Sequence, residues 1–375
     1  MWRHTLTVLI LSLSLVLSGC LVSKPAPETT TQILSSSSQP STTIIGSSNQ
    51  ESSIVSSEGT EASCEGILWR YAFEDALSCA ISRDEIDSLQ PLAAELKRED
   101  FLWSVWNVLA WEEVWLTYDW EKAKEPSPEI VVHPNGTVEV KKGENRYIQR
   151  PSETLKAGKG ICTDYAVFTV ALLLAMNYTP VYAMEINFTE GSGHAAALVN
   201  VEGWYIVLDQ KLPPMDLATY YRHWKRRNST IASAKFYEVS LGESQARVRL
   251  VGIFSGVEFL KQDYTMKPSD EDLLAALMMK SLEEDLGAKF DPDLKSLGDG
   301  ELPQGYRSGS YWRIEYPMLG DYYHPFFAEQ YADWLLDKSM KNVEFRESLN
   351  KSDALWIEVE VEGKDLLITF YLGDA

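Results

Sequence analysis

The feature that most constrains the fold is an apolar run at residues 166–176, AVFTVALLLAM, near the middle of the chain. In a helix, this run places apolar side chains on nearly every face, so the helix must be buried all round. We therefore predict a helix at the centre of a core. Gly158 and Gly160 precede it, and Cys162 stands where it would begin. Cys162 is then either a buried structural thiol or a nucleophile at a helix start.

The first residues are typical of an export signal. Arg3 precedes an apolar stretch at residues 6–17 that is too short to span a membrane. The stretch ends in LSGC, residues 17–20, which resembles the lipobox of prokaryotic lipoproteins, in which the cysteine is lipidated. The alternative is an ordinary signal peptide with an incidental cysteine. We expect an extracytoplasmic lipoprotein, anchored through Cys20 at the cell surface or in the envelope.

Composition divides the rest of the chain. Residues 21–63, after the signal peptide at residues 1–20, are dominated by Ser and Thr. Such a segment cannot bury enough apolar surface to offset its ordering entropy, so we predict a disordered tether. Residues 64–232 are predicted to form the principal domain. Residues 233–375 are predicted to form a C-terminal α+β module or an extension of that domain.

The charge balance limits the partners. The chain has 34 basic and 55 acidic residues, a formal net charge of -21. Bulk charge of this sign disfavours nucleic acids and anionic lipid surfaces. We therefore predict no nucleic-acid partner, and membrane contact through the lipid anchor.

The cysteines differ in context. Cys64 and Cys79 are close in sequence within an exported chain, so they could form a disulfide that stabilises the fold by about 3 kcal/mol. The alternative is that both are reduced core residues. In either case Cys162 is unpaired.

The region before Cys162 shows a helical pattern over residues 84–120. We interpret one apolar face of this helix as core packing, and its members are Trp103, Trp106, Leu109, Ala110 and Val114. Prolines then end the helix, and a hairpin is predicted about Asn135-Gly136.

Three segments with strand composition follow the Cys162 helix, at residues 180–188, 194–201 and 204–210. Glycine-containing stretches separate them. We predict an antiparallel meander that packs on the Cys162 helix.

Residues after about 235 contain further predicted elements but no catalytic constellation. These are a strand at residues 246–254, a helix capped by Ser269 and ended by Gly287, a helix near residues 328–338 and a closing hairpin at residues 355–373.

The setting of Cys162 suits a nucleophile. A thiol attacks a carbonyl as thiolate, and the unpaired amides at a helix start stabilise an anion. Gly158 and Gly160 would let a substrate backbone approach closely. The Cys162 amide could also donate to the oxyanion of a tetrahedral intermediate.

His194 is the best-placed base, at the head of a predicted strand, and Asp209 ends the next strand. A connection of two or four residues around Glu202-Gly203 would put both on one face, about 5 to 8 Å apart. Asp209 could then orient the imidazole of His194 and stabilise its charged form. An odd-length connection or a bulge would separate them.

The motifs TLKAGKGICTDYAVF, GHAAALVNV and WYIVLDQ, at residues 154–168, 193–201 and 204–210, together resemble the transglutaminase-like superfamily of the papain-like cysteine peptidase fold. The resemblance covers residues 84–221. It implies an α+β core in which the cysteine helix packs on an antiparallel sheet. It also implies that Cys162 is the nucleophile, His194 the general base and then acid, and Asp209 the orienting carboxylate. The resemblance does not place the family's second oxyanion donor, which a tryptophan of the helix at residues 103–120 could supply.

Each of the three residues alone is more typical of structure than of catalysis, but the set favours an enzyme. We expect a cysteine protease or acyltransferase that acts on peptide or side-chain amides of surface or envelope proteins through a thioester, with hydrolysis favoured over amine transfer. The alternative is a noncatalytic binding or assembly lipoprotein that retains the fold. No cofactor is expected. The remaining histidines lack ligand-like spacing, so no metal is expected either.

Overall fold

The computed structural model describes residues 64–133 and 137–375. The predicted signal peptide, lipid site Cys20 and tether lie outside the described residues, as does the predicted turn at Asn135-Gly136. The two strands that flank this turn are described, and they pair antiparallel as the hairpin prediction requires.

The helices and strands are numbered in chain order. The helices are α1 (Phe73–Cys79), α2 (Arg83–Leu96), α3 (Phe101–Trp115), α4 (Trp120–Lys124), α5 (Pro151–Ala157), α6 (Cys162–Ala175), α7 (Leu217–Arg226), α8 (Gly256–Phe259), α9 (Pro268–Leu286), α10 (Leu319–Tyr322), α11 (Ala328–Met340) and α12 (Val343–Lys351). The strands are β1 (Thr117–Tyr118), β2 (Glu129–Val132), β3 (Val138–Lys142), β4 (Lys159–Gly160), β5 (Val181–Phe188), β6 (Gly193–Val201), β7 (Trp204–Leu208), β8 (Met215–Asp216), β9 (Ile231–Leu241), β10 (Ala246–Ser255), β11 (Lys289–Phe290), β12 (Ser308–Tyr316), β13 (Ala354–Glu362) and β14 (Asp365–Asp374).

Helix α6 is the central element, as predicted. All its residues from Asp164 to Ala175 are buried, because α2, α3 and α5 pack on it from one side and the sheet from the other. The sheet is antiparallel with the order β10-β9-β5-β6-β7-β8, and α6 contacts β5 and β6. The predicted meander on the cysteine helix is therefore confirmed, within a sheet of six strands.

The tryptophan-rich region differs from its prediction in two ways. A break at residues 97–100 divides it into α2 and α3. Trp106 and Leu109 are buried, but Val114 is 71% exposed, so the predicted face is wrong at that end. The buried stripe of α3 instead continues to Glu112, one turn after Val108. Since α3 is apolar nearly all round, its periodicity does not identify the face that meets the core.

The C-terminal region shares the principal core. Strand β9 crosses the division predicted between residues 232 and 233, and it pairs with β5 in the middle of the sheet. Strand β10 is also part of this sheet, and residues after it form a second sheet, β11-β13-β14-β12, on which α9 packs. One contiguous apolar cluster includes Leu172 of α6 and Ile368 of β14. Residues up to 255 therefore extend the first sheet.

Helix α9 begins one residue before its predicted cap. Pro268 occupies the first turn, Lys267 is the cap residue, and the Asp270 carboxylate accepts from the Lys267 amide at 2.8 Å. Ser269 is therefore inside the helix, because proline is favoured at the first helical position. The predicted end at Gly287 is confirmed, and this glycine adopts a left-handed conformation.

Cys64 and Cys79 are joined by a disulfide, which ties the start of the described chain to the end of α1. Replacing both with alanine should lower the free energy of unfolding by about 3 kcal/mol, because the crosslink restricts the unfolded chain. Urea unfolding of the non-reduced protein measures this change. Cys162→Ala, which removes no crosslink, is the matched control. An unchanged midpoint in the double variant would contradict the prediction.

Candidate active site

Cys162 opens α6 at the end of a tight connection. Gly158 ends α5 in a left-handed conformation, and β4 then pairs in parallel with β1. A side chain at Gly160 would approach the Asp164 Cβ atom to 2.7 Å, so this position requires glycine. The chain therefore turns into α6 with Cys162 as its first residue.

Asp164 holds this turn and does not face the thiol. Its carboxylate accepts from the amides of Ile161 and Gln149, each at 2.8 Å, and from Lys122 Nζ at 2.6 Å. The carboxylate is completely buried and the Lys122 side chain is 6% exposed. Burial raises the pKa of Asp164, while the Lys122 ammonium and the two amides oppose that rise. The Asp164 carboxylate therefore caps the start of α6, and the buried Lys122 ammonium is its charge partner.

His194 and Asp209 share one face of the sheet, as the register argument requires. Strands β6 and β7 are joined by the two-residue turn Glu202-Gly203, and Ala197 lies opposite Leu208. This register puts His194 and Asp209 one diagonal step apart. His194 Nε2 lies 2.9 Å from Asp209 Oδ2, and both side chains are nearly buried.

The Cys162 thiol lies beside the His194 imidazole and the Ala195 backbone amide, close enough for both groups to influence its pKa. Burial alone would raise the pKa of Cys162, but the positive charge of His194 and these polar neighbours outweigh it and lower the pKa. Burial would lower the pKa of His194, yet Asp209 and Cys162 raise it. The arrangement therefore favours a thiolate–imidazolium pair.

Helix α7 supplies two supporting residues that the sequence analysis missed. The Tyr220 hydroxyl donates to Asp209 Oδ2 at 2.8 Å. The Trp224 ring lies 4.7 Å from the His194 ring, centre to centre. Both residues face the site because four positions separate them on a helix that begins soon after the aspartate motif. That spacing is the signal that could have identified them.

Glu112 of α3 is a third residue that sequence reasoning missed. It is completely buried, and burial raises its pKa to about 8. The Thr169 hydroxyl lies 2.6 Å from Glu112 Oε1 and 2.8 Å from the Tyr165 carbonyl. One hydroxyl has a single proton, so both contacts are hydrogen bonds only when Glu112 is protonated. Burial therefore favours the neutral, protonated form of Glu112.

A cavity of about 190 Å³ opens beside the thiol. Its walls include Cys162, His194 and Thr163, together with apolar residues such as Phe73 and Ile148. No described tryptophan lines this cavity, and a tryptophan donor at residues 103–120 stays a prediction. Trp106 of α3, for example, packs among aromatic rings of the C-terminal region.

Tyr118 of β1 lies beside the start of α6. Its hydroxyl is close to the Cys162 backbone amide, and the residue is partly buried. Burial and the charge of Cys162 raise the pKa of Tyr118, so its hydroxyl keeps its proton. A neutral hydroxyl is therefore available at the thiol.

Neither a metal-binding cluster nor a membrane-spanning helix is found in the described residues. Residues 64–133 and 137–375 contain no cluster of three or more His, Cys, Asp or Glu side chains suited to a metal ion. Within the same ranges, no helix is both long and apolar enough to cross a membrane.

Residues 87–237 match the family of transglutaminase-like domains, in agreement with the α+β core and the cysteine helix described above. The relatives define the family more closely. A UPF0252 protein of Pyrococcus horikoshii is 32% identical over 303 residues, 80% of this chain and 88% of the relative. One of Archaeoglobus fulgidus is 33% identical over 308 residues, 82% of this chain and 90% of the relative. The chain belongs to the UPF0252 family.

Similarity to solved structures is weaker. Legionella pneumophila LapG has 13% sequence identity and a TM-score of 0.26, over 45% of this chain and 89% of that chain. A similarity of this size assigns no activity.

Lys122→Ala should lower the free energy of unfolding by about 3 to 5 kcal/mol, because it leaves the buried Asp164 carboxylate without its cation. Lys124→Ala is the matched control, since the Lys124–Glu121 pair is exposed and its loss should cost at most about 0.5 kcal/mol. Urea unfolding at pH 7 measures both changes. Equal midpoints for the two variants would show that the buried pair does not hold the helix start.

Proposed function

We propose that this protein is a cysteine-dependent enzyme that cleaves peptide or side-chain amides through a thioester, and that it passes the acyl group to water more readily than to an amine. The observation that carries the proposal is the chain of contacts from Cys162 through His194 to Asp209. The cavity gives an acyl group access to the sulfur at one end of this chain. Tyr220 and Trp224 restrain the other end.

In the first half-reaction the Cys162 thiolate attacks the amide carbon, and a C–S bond forms as the carbonyl oxygen becomes an oxyanion. The Cys162 amide and the Tyr118 hydroxyl are the candidate donors to that oxyanion. The His194 imidazolium then gives its proton to the leaving nitrogen, and the C–N bond breaks. The products are a thioester on Cys162, a free amine and a neutral imidazole.

In the second half-reaction water attacks the thioester while His194 takes its proton. The C–S bond then breaks, the carboxylic acid leaves, and the thiolate–imidazolium pair is restored. A primary amine in place of water would give a new amide by the same steps, so the chemistry of the residues alone allows both outcomes.

We further propose that the protein works outside the cytoplasm, anchored through lipid on Cys20. The support is the LSGC ending of the export-like segment and the Ser/Thr-rich stretch that follows it. The substrates would then be proteins or peptides of the cell surface or envelope. The rival function, a noncatalytic binding lipoprotein, requires an ordinary thiol at Cys162.

Alkylation separates these two functions. Iodoacetamide should label Cys162 with a pH midpoint well below about 8.5, the value of a free thiol, because His194 lowers the pKa of Cys162. His194→Ala should raise the midpoint towards that value. His133→Ala removes an exposed histidine and should leave the midpoint unchanged. The rate of modification, followed by mass spectrometry of the Cys162 peptide, gives the midpoint; an ordinary midpoint that His194→Ala does not move would favour the binding protein.

A peptide library incubated with the protein, with and without methylamine, tests turnover and its direction. New free carboxylates are expected in both conditions, with few methylamides, and mass spectrometry identifies both products. Cys162→Ala should lower the rate by at least about 10³-fold, since it removes the nucleophile. Undiminished turnover in that variant would overturn the mechanism, and methylamides as the main product would overturn the preference for hydrolysis.

A further inference from the structure

The cavity beside Cys162 contains a cation that lacks a carboxylate partner. Apart from the histidine of the site, Arg146 and Glu185 are the charged residues of its lining. Among the described residues, Arg146 forms no salt bridge; its recorded partner is the Glu125 backbone carbonyl, at 3.0 Å from Nη1. The whole chain has 55 acidic residues against 34 basic ones. A guanidinium without a carboxylate in such a chain is therefore available to a ligand.

The backbone around Arg146 is held in place. Arg146 ends a short 3-10 turn that begins after Gly143, which has a left-handed conformation with φ of 63°. A side chain at Gly143 would approach the Pro126 carbonyl oxygen to 2.3 Å, so the turn packs closely on the preceding segment. Together with the bond to Glu125, this packing presents a partly buried guanidinium to the cavity before any ligand binds.

The acidic residue of the lining does not cancel this charge. Glu185 of β5 accepts from Lys235 Nζ at 3.2 Å and from the Tyr237 hydroxyl at 3.4 Å, so its carboxylate already has partners. The Thr163 hydroxyl, beside Cys162 in the lining, has no hydrogen-bond partner in the described chain. The lining of this cavity therefore contains one cation without a carboxylate partner and one buried hydroxyl group without a hydrogen-bond partner.

We propose that the cavity selects acidic substrates, in which a carboxylate binds Arg146 while a neighbouring carbonyl carbon meets the Cys162 sulfur. A guanidinium binds a carboxylate through two parallel hydrogen bonds, and the apolar walls strengthen that contact by limiting water. Thr163 is a candidate donor to the same ligand. This inference rests on the proposed function, because it assigns the substrate class of the same site.

The charge preference can be measured without a known substrate. Iodoacetate and iodoacetamide alkylate the same thiolate and differ in that one carries a carboxylate. The ratio of their rates at Cys162 is therefore independent of how much thiolate is present. Arg146→Gln in the full-length chain should lower the iodoacetate-to-iodoacetamide ratio about tenfold at low salt, the loss expected for one charged hydrogen-bonded contact.

Two variants control this experiment. Arg150→Gln removes the same charge nearby, but the Arg150 guanidinium lies over the Trp69 ring and does not line the cavity, so the ratio should not change. Arg146→Lys keeps the positive charge but lacks the planar guanidinium that binds a carboxylate through two hydrogen bonds. Its iodoacetate-to-iodoacetamide ratio should therefore lie between those of the wild type and Arg146→Gln. An equal ratio in the wild type and Arg146→Gln overturns the inference, as does an equal fall in Arg146→Gln and Arg150→Gln.

Peptides then separate the two sources of a carboxylate. One arm compares Glu-containing and Gln-containing peptides with blocked termini, and the other compares free and amidated C termini. Arg146→Gln should reduce kcat/KM about tenfold for the carboxylate form in one arm, and a reduction in neither arm overturns the inference. If iodoacetate and iodoacetamide both alkylate Cys162 as slowly as a free thiol, that result counts against the proposed function. The ratio of the two rates would still show whether Arg146 attracts a carboxylate.

Discussion

The buried contact between Asp164 and Lys122 is the interaction on which the site depends. Asp164 joins three pieces of chain: the start of α6, the segment before α5 and helix α4. Without these bonds the Ile161 amide at the start of α6 would lack its acceptor, and the buried Asp164 carboxylate would lack its cation. The start of α6, and with it Cys162, is therefore held by a buried ion pair.

The charges around the thiol form an alternating series. Cys162, His194 and Asp209 alternate in sign when the thiol is ionised, and Tyr220 donates a neutral hydrogen bond to the last member. Burial opposes each charged form individually, so the three are stable only together. Glu112 fits this pattern because burial raises its pKa and so favours a neutral carboxyl near the site.

Sequence reasoning performed well where the pattern was local. Residues close together in the chain predict the helix at Cys162 and the meander after it. They also predict the even-length turn between β6 and β7, which puts His194 and Asp209 on one face. Sequence reasoning failed on α3, where an almost uniformly apolar helix does not indicate its inner face. It also placed a division at residues 232/233 that β9 crosses, because a strand's partners in a sheet cannot be read from its own composition.

The sequence by itself determined which groups carry the candidate chemistry: a thiol at a helix start, and an imidazole and a carboxylate on one face of a hairpin. Those features depend on spacing within single elements or across one tight turn. Only the tertiary structure decided what surrounds them. Four of the surrounding residues come from other helices and turns of the chain, namely Lys122, Tyr220, Trp224 and Arg146. Their positions depend on how these elements pack together, and the periodicity of a single helix or strand does not encode that packing.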